Sequence, residues 1–188
     1  MNGITTGMHL NPVDILFEHY PAVGPLALTL VQHSEQVRDM ALEVAENIPH
    51  LEPDIRFIAE AAMLHDIGIY RTAANRIGCR GTEPYIRHGI IGRQILESYG
   101  LTAHALVCER HVGVGISKHD ILEQGLPLPL RDMLPVTIEE QIICYADKFF
   151  SKKHIGETRS LEAVIAELKA FGPQKVDRFM QWHRLFGS

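Results

Sequence analysis

An all-α fold, packed as a compact but irregular helical bundle, is what this sequence predicts, and three observations carry the prediction. Asparagine, serine, threonine and proline recur where helices would begin, and glycine where they would end. Between those signals apolar residues return at spacings of three and four, the period of a helix with one buried face. No segment alternates apolar and polar residues in the way a half-buried strand requires.

Each element has its own signal. Asn11 caps a short first helix in "NPVDILFEHY", with Pro12 at its first position. A longer helix runs from about Pro25 to Ile48 and aligns Leu30, Val37, Met40, Val44 and Ile48 on one stripe. Pro53 opens a third, which carries "DIRFIAEAAMLHD" and stops at Gly68. After a polar, arginine-rich loop, Pro84 opens a fourth that continues through Tyr99 and is terminated by Gly100. Thr102 caps a fifth, ending near His111, where "VGVG" breaks the pattern. Ser117 caps a short helix closed by Gly125, and "LPLPLRDMLP" forms a stiff irregular connection. "TIEE", at Thr137 to Glu140, is a capping box that opens an apolar helix through about Phe150. Two more helices span Ser160 to Phe171 and Pro173 to Phe186. No repeat, low-complexity segment or linker divides the chain, so its 188 residues are expected to form one domain.

Composition excludes several classes of function. An apolar content of 46% is ordinary for a globular protein. No stretch approaches the roughly 20 uninterrupted apolar residues of a membrane span, and "MNGITTGMHLNP" lacks the basic start and apolar centre of a secretory signal. A cytoplasmic protein without a membrane partner is expected. Cys79, Cys108 and Cys144 form no CxxC pair, and any disulfide would leave one over, so they read as reduced, buried fillers. A net charge of −5 argues against a general nucleic-acid surface, which draws on excess lysine and arginine. The unusual component is eleven histidines.

Several of these fall on buried faces. His33 follows Leu30 by three and precedes Val37 by four, so its imidazole points inward with that stripe. His65 continues Ile58, Ala61 and Ala62, while Asp147 sits between Ile143 and Phe150 on another apolar stripe. His88 precedes Ile91 and Ile95, with Gly92 permitting close helix approach, and His111 follows Val107 by four. Any one of these reads as an ordinary hydrogen-bonded core residue. Six together, including Asp66, are harder to bury, because an ionised carboxylate in an apolar interior needs a partner and a metal cation is one of the few that suffice. Imidazole and carboxylate without thiolate suit iron, manganese or zinc in a site with open positions. His65 and Asp66 in "AAMLHDIGIY" project about a third of a turn apart on a regular helix, so both can reach one ion only near a helix end, which Gly68 supplies.

"LHDIG", the upstream His33 and the downstream "ICYADKF" together resemble the HD-domain superfamily of metal-dependent phosphohydrolases. The order His33, His65, Asp66, Asp147 matches its four-ligand motif, and the likeness covers roughly residues 25 to 152, leaving 153 to 188 as a helical extension. His88, in "IRHGIIGRQIL", and His111, in "ERHVGVGI", match the subset with six ligands and two metals, which includes symmetrical dinucleoside-tetraphosphate hydrolases and cyclic-di-nucleotide phosphodiesterases. The Gly-Tyr-Pro signature of the latter is missing. The resemblance implies an HD-type bundle and a phosphohydrolase with two divalent transition-metal ions, iron or manganese ahead of zinc, nickel or magnesium. It assigns His33 and His65 to one metal and His88 and His111 to the other, with Asp66 and Asp147 holding or bridging them. His65, Asp66 and Asp147 are the catalytic candidates, acting through a metal-activated hydroxide.

A small phosphorylated substrate of nucleotide type, the class the resemblance implies, also needs counter-charge. Arg71, Arg76, Arg80 and Arg87 all fall between His65 and His88 and offer it, though each taken singly is equally well a solvated surface residue. Lys118, after "GVGIS", marks a helix start that can receive an anion. Lys148 is read as facing water, given Ser151 and Lys152 beyond it. His9, His19, His50, His104, His119, His154 and His183 are read as ordinary, with His104 in question because it lies seven residues before His111. The same six-ligand set also resembles di-iron oxygenases that cleave a C–C or C–P bond. A non-catalytic metal-bearing module is a third reading, and a homodimer is compatible with all three.

Overall fold

A computed structural model of the protein describes residues 11–20 and 24–187; the opening "MNGITTGMHL", with His9, lies outside the described residues. The architecture is all-α. In chain order the helices are α1 (Pro12–His19), α2 (Pro25–Asn47), α3 (Ile55–Leu64), α4 (His88–Ser98), α5 (Thr102–Arg110), α6 (Lys118–Gln124), α7 (Ile138–Asp147), α8 (Leu161–Lys169) and α9 (Pro173–Phe186). The N-terminal signals act as the sequence predicts at several of them. Asn11 Oδ1 accepts from the Val13 amide, Ser160 Oγ accepts from Ala163, and Ser117 and Thr137 form capping boxes with Asp120 and Glu140.

Other boundaries differ from the expectation, each for a local reason. α3 starts at Ile55 because Asp54, not Pro53, supplies the cap, accepting from the Phe57 amide. Thr102 is the first helical residue of α5 rather than its cap; Leu101 holds the cap position and no side chain bonds there. Pro84 opens a single 3-10 turn, Tyr85–Arg87, before α4 begins at His88. α7 ends at Asp147, three residues before Phe150. The arginine-rich loop contains a small antiparallel hairpin, β1 (Ala73–Ala74) with β2 (Cys79–Arg80), whose two-residue strands are too short to show an alternating pattern. Gly78 closes the turn between them at φ 83°.

Gly68 also has a different role from the one expected. α3 already stops at Leu64, and Gly68 lies inside a 3-10 turn, Ile67–Arg71, which packs beneath α4. A Cβ there would come within 2.2 Å of the His88 carbonyl oxygen and 2.5 Å of the Gly92 amide nitrogen. Its missing side chain therefore lets the start of α4 rest directly on the segment after Asp66. Gly92 does the same for α5, since a Cβ on it would touch Cys108 at 3.0 Å.

Packing divides the interior into two large apolar clusters. In one, α2, α3 and α7 meet α8 and α9 through Val37, Val44, Ile58, Ile143, Phe179 and Trp182. In the other, α1, the start of α2, the end of α3, α4 and α5 meet through Leu16, Leu30, Leu64, Ile67, Leu96 and Cys108. Burying each large side chain contributes about 1.5–3 kcal/mol, so both clusters hold the helices in register. Three helices cross from one cluster to the other: Leu30 to Val37 on α2, Ala62 to Leu64 on α3, and Val107 to Cys108 on α5. His33 lies at the first crossing, His65 immediately follows the second, and His111 lies three residues past the third. The functional side chains thus fill a polar seam between two cores. No helix among the described residues is long and apolar enough to cross a membrane.

Candidate metal centre

Six side chains converge on the seam. His33, His65, Asp66, His88, His111 and Asp147 are all buried, with Asp66 and His65 fully so. They come from the middle of α2, the residue closing α3 and the one after that, the first residue of α4, the residue closing α5 and the last residue of α7. Helix ends dominate this set because a terminal residue can direct its side chain along the axis rather than around it.

One local device orients three of the imidazoles. His65 Nδ1 lies 2.6 Å from the Ala62 carbonyl oxygen, His88 Nδ1 2.6 Å from that of Tyr85, and His111 Nδ1 2.8 Å from that of Cys108. A carbonyl only accepts, so each Nδ1 carries the proton and donates it to the residue three positions back. The three Nε2 atoms are then left facing the centre, which is the orientation that metal-binding histidines take.

The two oxygens of Asp66 face different partners. Oδ2 lies 3.3 Å from His33 Nε2 and 3.0 Å from His65 Nε2, while Asp147 Oδ1 is 3.1 Å and 3.6 Å from the same two nitrogens. Oδ1 lies 3.4 Å from His88 Nε2 and 3.5 Å from His111 Nε2. The result is two overlapping groups of donor atoms, His33–His65–Asp66–Asp147 and Asp66–His88–His111, sharing one carboxylate.

These atoms fit a cation better than they fit each other. Despite the short distances, Asp66 Oδ1, His65 Nε2 and His33 Nε2 are buried without a hydrogen bond, and Asp66 Oδ2 is faced by the Lys152 ammonium. His88 Nε2 and His111 Nε2 are 3.1 Å apart, yet each has its proton on Nδ1, so two lone pairs oppose one another. Unsatisfied polar atoms in an interior are rare and costly, and a shared electrophile resolves all of them at once. The donor set, imidazole and carboxylate without thiolate, suits a divalent metal.

Ionisation follows the same pattern. Burial alone would raise the Asp66 and Asp147 carboxyls, but Lys152 and His65 beside Asp66, and Lys148 with His33 and His65 beside Asp147, hold both well below the usual carboxylate range. Burial pushes His88 down to about 3 and lowers His111 as well, keeping both neutral. His65 also loses solvation, but the Asp66 and Asp147 carboxylates outweigh that and raise it to about 9. Ionised carboxylates and neutral imidazoles are the protonation states that metal binding requires; at His65 a cation would take the place of the Nε2 proton.

A cavity of about 580 Å³ opens onto the centre. His88, His111 and Asp147 form part of its floor, and its walls include Arg76, Tyr85, Lys148, Lys152 and Arg159. Of the five basic residues the sequence singles out, Arg76 alone lines it. Arg71 and Arg80 are exposed elsewhere on the hairpin segment. Arg87 is engaged by Glu83 at 2.9 Å and by the Pro127 carbonyl at 2.8 Å. Lys118 is exposed, its amide donating to Asp132 Oδ1 at 2.7 Å, so that helix start already has a carboxylate. His104 turns away from the centre and pairs with Glu60 at 3.3 Å.

Three residues reach the site that sequence reasoning did not place there. Lys148 and Lys152 are only 12% exposed and lie against the centre, Lys148 Nζ 3.3 Å from Asp147 Oδ2 and Lys152 Nζ 2.5 Å from Asp66 Oδ2. The expectation that Lys148 faces water assumed a helix continuing past Asp147. The helix ends there, and the following turns fold both lysines back over the cavity. Tyr85 supplies the carbonyl that orients His88 and packs its ring against the imidazole, with centroids 4.6 Å apart. The signal available for the lysines was their spacing of four, which places them on one side of the chain after a buried aspartate.

Comparison with known proteins agrees with this geometry. An uncharacterized protein of Methanocaldococcus jannaschii is 36% identical over 130 residues, which cover 67% of this chain and 69% of that protein. Two proteins named tRNA (cytidine(56)-2'-O)-methyltransferase are also similar. That of Picrophilus torridus is 35% identical over 70% of this chain and 34% of its own length, and that of Thermoplasma volcanium 31% identical over 85% and 42%. The chain thus spans well under half the length of either methyltransferase. No solved structure gives a significant match. The family model described as HD domain matches residues 30–151, a span that contains all six converging side chains, and the chain belongs to the HD domain family.

Proposed function

We propose that the protein is a cytoplasmic phosphohydrolase that holds two divalent transition-metal ions, iron or manganese, and cleaves a phosphoester or phosphoanhydride bond in a small, nucleotide-sized substrate. The division of the two Asp66 oxygens between separate histidine pairs carries this reading. In it, His33, His65, Asp66 and Asp147 would hold one metal ion, and Asp66, His88 and His111 the other. Such a pair, when bound, supplies Lewis-acid polarisation of a phosphoryl oxygen and acidification of water.

The chain's own residues do the rest. The carbonyls of Ala62, Tyr85 and Cys108 fix the three imidazoles, so no reorientation is needed during turnover. The seam buries the six side chains, and the cavity gives substrate access to the face formed by His88, His111 and Asp147. A volume of about 580 Å³ suits a nucleotide-sized ligand rather than a polynucleotide. Methyl transfer, named for two relatives, is not adopted, because each matches over less than half of its length and the residues gathered here are metal-binding in type.

The experiment is a substrate screen on protein reconstituted with iron or manganese, following phosphate release and oxygen uptake together over nucleotides, dinucleoside polyphosphates and phosphonates. Metal-dependent phosphate release without oxygen uptake is the expected result. Oxygen consumption coupled to C–C or C–P cleavage would replace the hydrolase with an oxygenase on the same ligands, and metal-free protein after reconstitution would remove both.

A further inference from the structure

The cavity carries more positive charge than a chain of net charge −5 would place there by chance. Arg76, Lys148, Lys152, Lys153 and Arg159 line it against two acids, Asp147 and Glu167. These cations fall into different situations. Arg159 is fully engaged, donating to Glu167 at 2.7 Å, to the Lys148 carbonyl at 3.3 Å and to the Ala163 carbonyl at 3.2 Å, so it braces the segment after α7. Lys148 and Lys152 form the inner tier, each ammonium set against a carboxylate of the centre and largely removed from solvent. Arg76, on the turn between β1 and β2, and Lys153 form an outer tier and have no carboxylate partner among the described residues.

Lysine is seldom buried without a dedicated anion. Here Lys152 must share Asp66 Oδ2 with His33 and His65, and Lys148 shares Asp147 with the same two imidazoles. With divalent cations on those carboxylates, the two ammoniums face a floor of excess positive charge that only an incoming anion can balance. The outer tier lies at the cavity mouth and faces a different part of the same ligand.

We propose that Lys148 and Lys152 bind the phosphoryl group at the metal centre and that Arg76, at the mouth, binds a second anionic group, so that the substrate class is a small molecule with a phosphate and at least one further phosphate or carboxylate. The proposal rests on the phosphohydrolase reading for the identity of the inner group. It adds the second group, and it assigns to substrate a lysine pair outside the metal-binding set.

Binding is measured by calorimetry on metal-loaded protein, with inorganic phosphate as the singly functional probe and phosphonoacetate as the doubly functional one. Metal content is determined on the same samples. Wild-type protein is expected to prefer phosphonoacetate by about 10-fold or more, the effect of one charge-assisted contact. Lys148→Met and Lys152→Met should each weaken both probes by about 10-fold or more at unchanged metal content, with Lys152→Arg recovering part of the loss. Arg76→Met should abolish the preference and leave phosphate binding as it was. Should Lys152→Met fail to fold, Lys148→Met and Lys152→Arg still decide the inner tier. Unchanged affinity for phosphate in both lysine variants overturns the inner assignment, and a preference that survives Arg76→Met overturns the outer one. Weakened phosphate binding in a protein that hydrolyses nothing would uphold the lysines while sinking the phosphohydrolase. Hydrolysis with unaltered KM in the lysine variants would do the opposite.

Discussion

Asp66 is buried completely, with the Lys152 ammonium against Oδ2 and no hydrogen bond at Oδ1. A carboxylate in that position has meaning only through what it shares. Asp66→Asn keeps the volume and removes the charge, so two cations held across it would lose part of what offsets their mutual repulsion. Metal affinity should fall by at least about 10- to 100-fold, the effect of perturbing even outer ligands, while the fold survives. Metal analysis and a melting curve on this one variant test the idea; full metal content would show that Asp66 is a structural helix-end residue. Gly68, two residues on, makes a complementary case. Gly68→Ala drives a methyl group to 2.2 Å from the His88 carbonyl oxygen, so α4 must move outward. Overpacking of this kind costs about 1–3 kcal/mol. Because His88 opens α4, the same shift should weaken metal binding at the His88–His111 group more than at His33–His65. Denaturant unfolding and metal titration measure the two effects, and an alanine variant with wild-type values for both would refute the close-contact account.

Elements, rather than residues, decide how the C-terminal helices support the site. Lys175, at the start of α9, reaches across to α6, where its buried ammonium donates to Asp120 Oδ2 at 2.5 Å and to the Gly115 carbonyl at 2.8 Å. Asp120 also accepts from Ser117, so one carboxylate caps α6 and anchors α9. Lys175→Met leaves that carboxylate without its counter-charge and should destabilise by about 3–5 kcal/mol. Burial would raise the Asp120 carboxyl, but Lys175 and the Ser117 donors hold it below its ordinary value. The stability it contributes is therefore present above the usual carboxylate range and is lost as pH falls through the lowered value. Acid unfolding of Lys175→Met should lack that component, which a comparison of stability at neutral pH and below about pH 4 would reveal. None of this was legible in the sequence, where no local signal pairs Lys175 with Asp120, 55 residues earlier. Helix positions and the six inward side chains were legible because caps and a period of 3.6 are local signals. The hairpin, the lysine pair and the Lys175 anchor were not, since each depends on where the chain returns after a helix stops.

At the scale of the whole molecule, two apolar cores meet along a seam made of the same residues that would hold metal. Those residues come from five separated stretches of chain, so ions bound there would tie α2, α3, α4, α5 and α7 together at the line where the cores are least cohesive. Without a cation, the facing His88 and His111 nitrogens and Asp66 Oδ1 would be left unsatisfied in the folded state, a cost absent from the unfolded one. Binding to the native state alone stabilises by about 2.7 kcal/mol at a free metal concentration 100 times Kd. For a chain of this length that corresponds to a rise in melting temperature of roughly 5 to 11 °C for each ion. Calorimetry of metal-loaded and chelator-treated protein should show this difference, with a single transition in both. In His88→Ala, where one group of donors is broken and the other intact, about half of the rise should remain. A melting temperature indifferent to chelation would mean that the seam is held by its two cores alone and that the six side chains owe nothing to a metal.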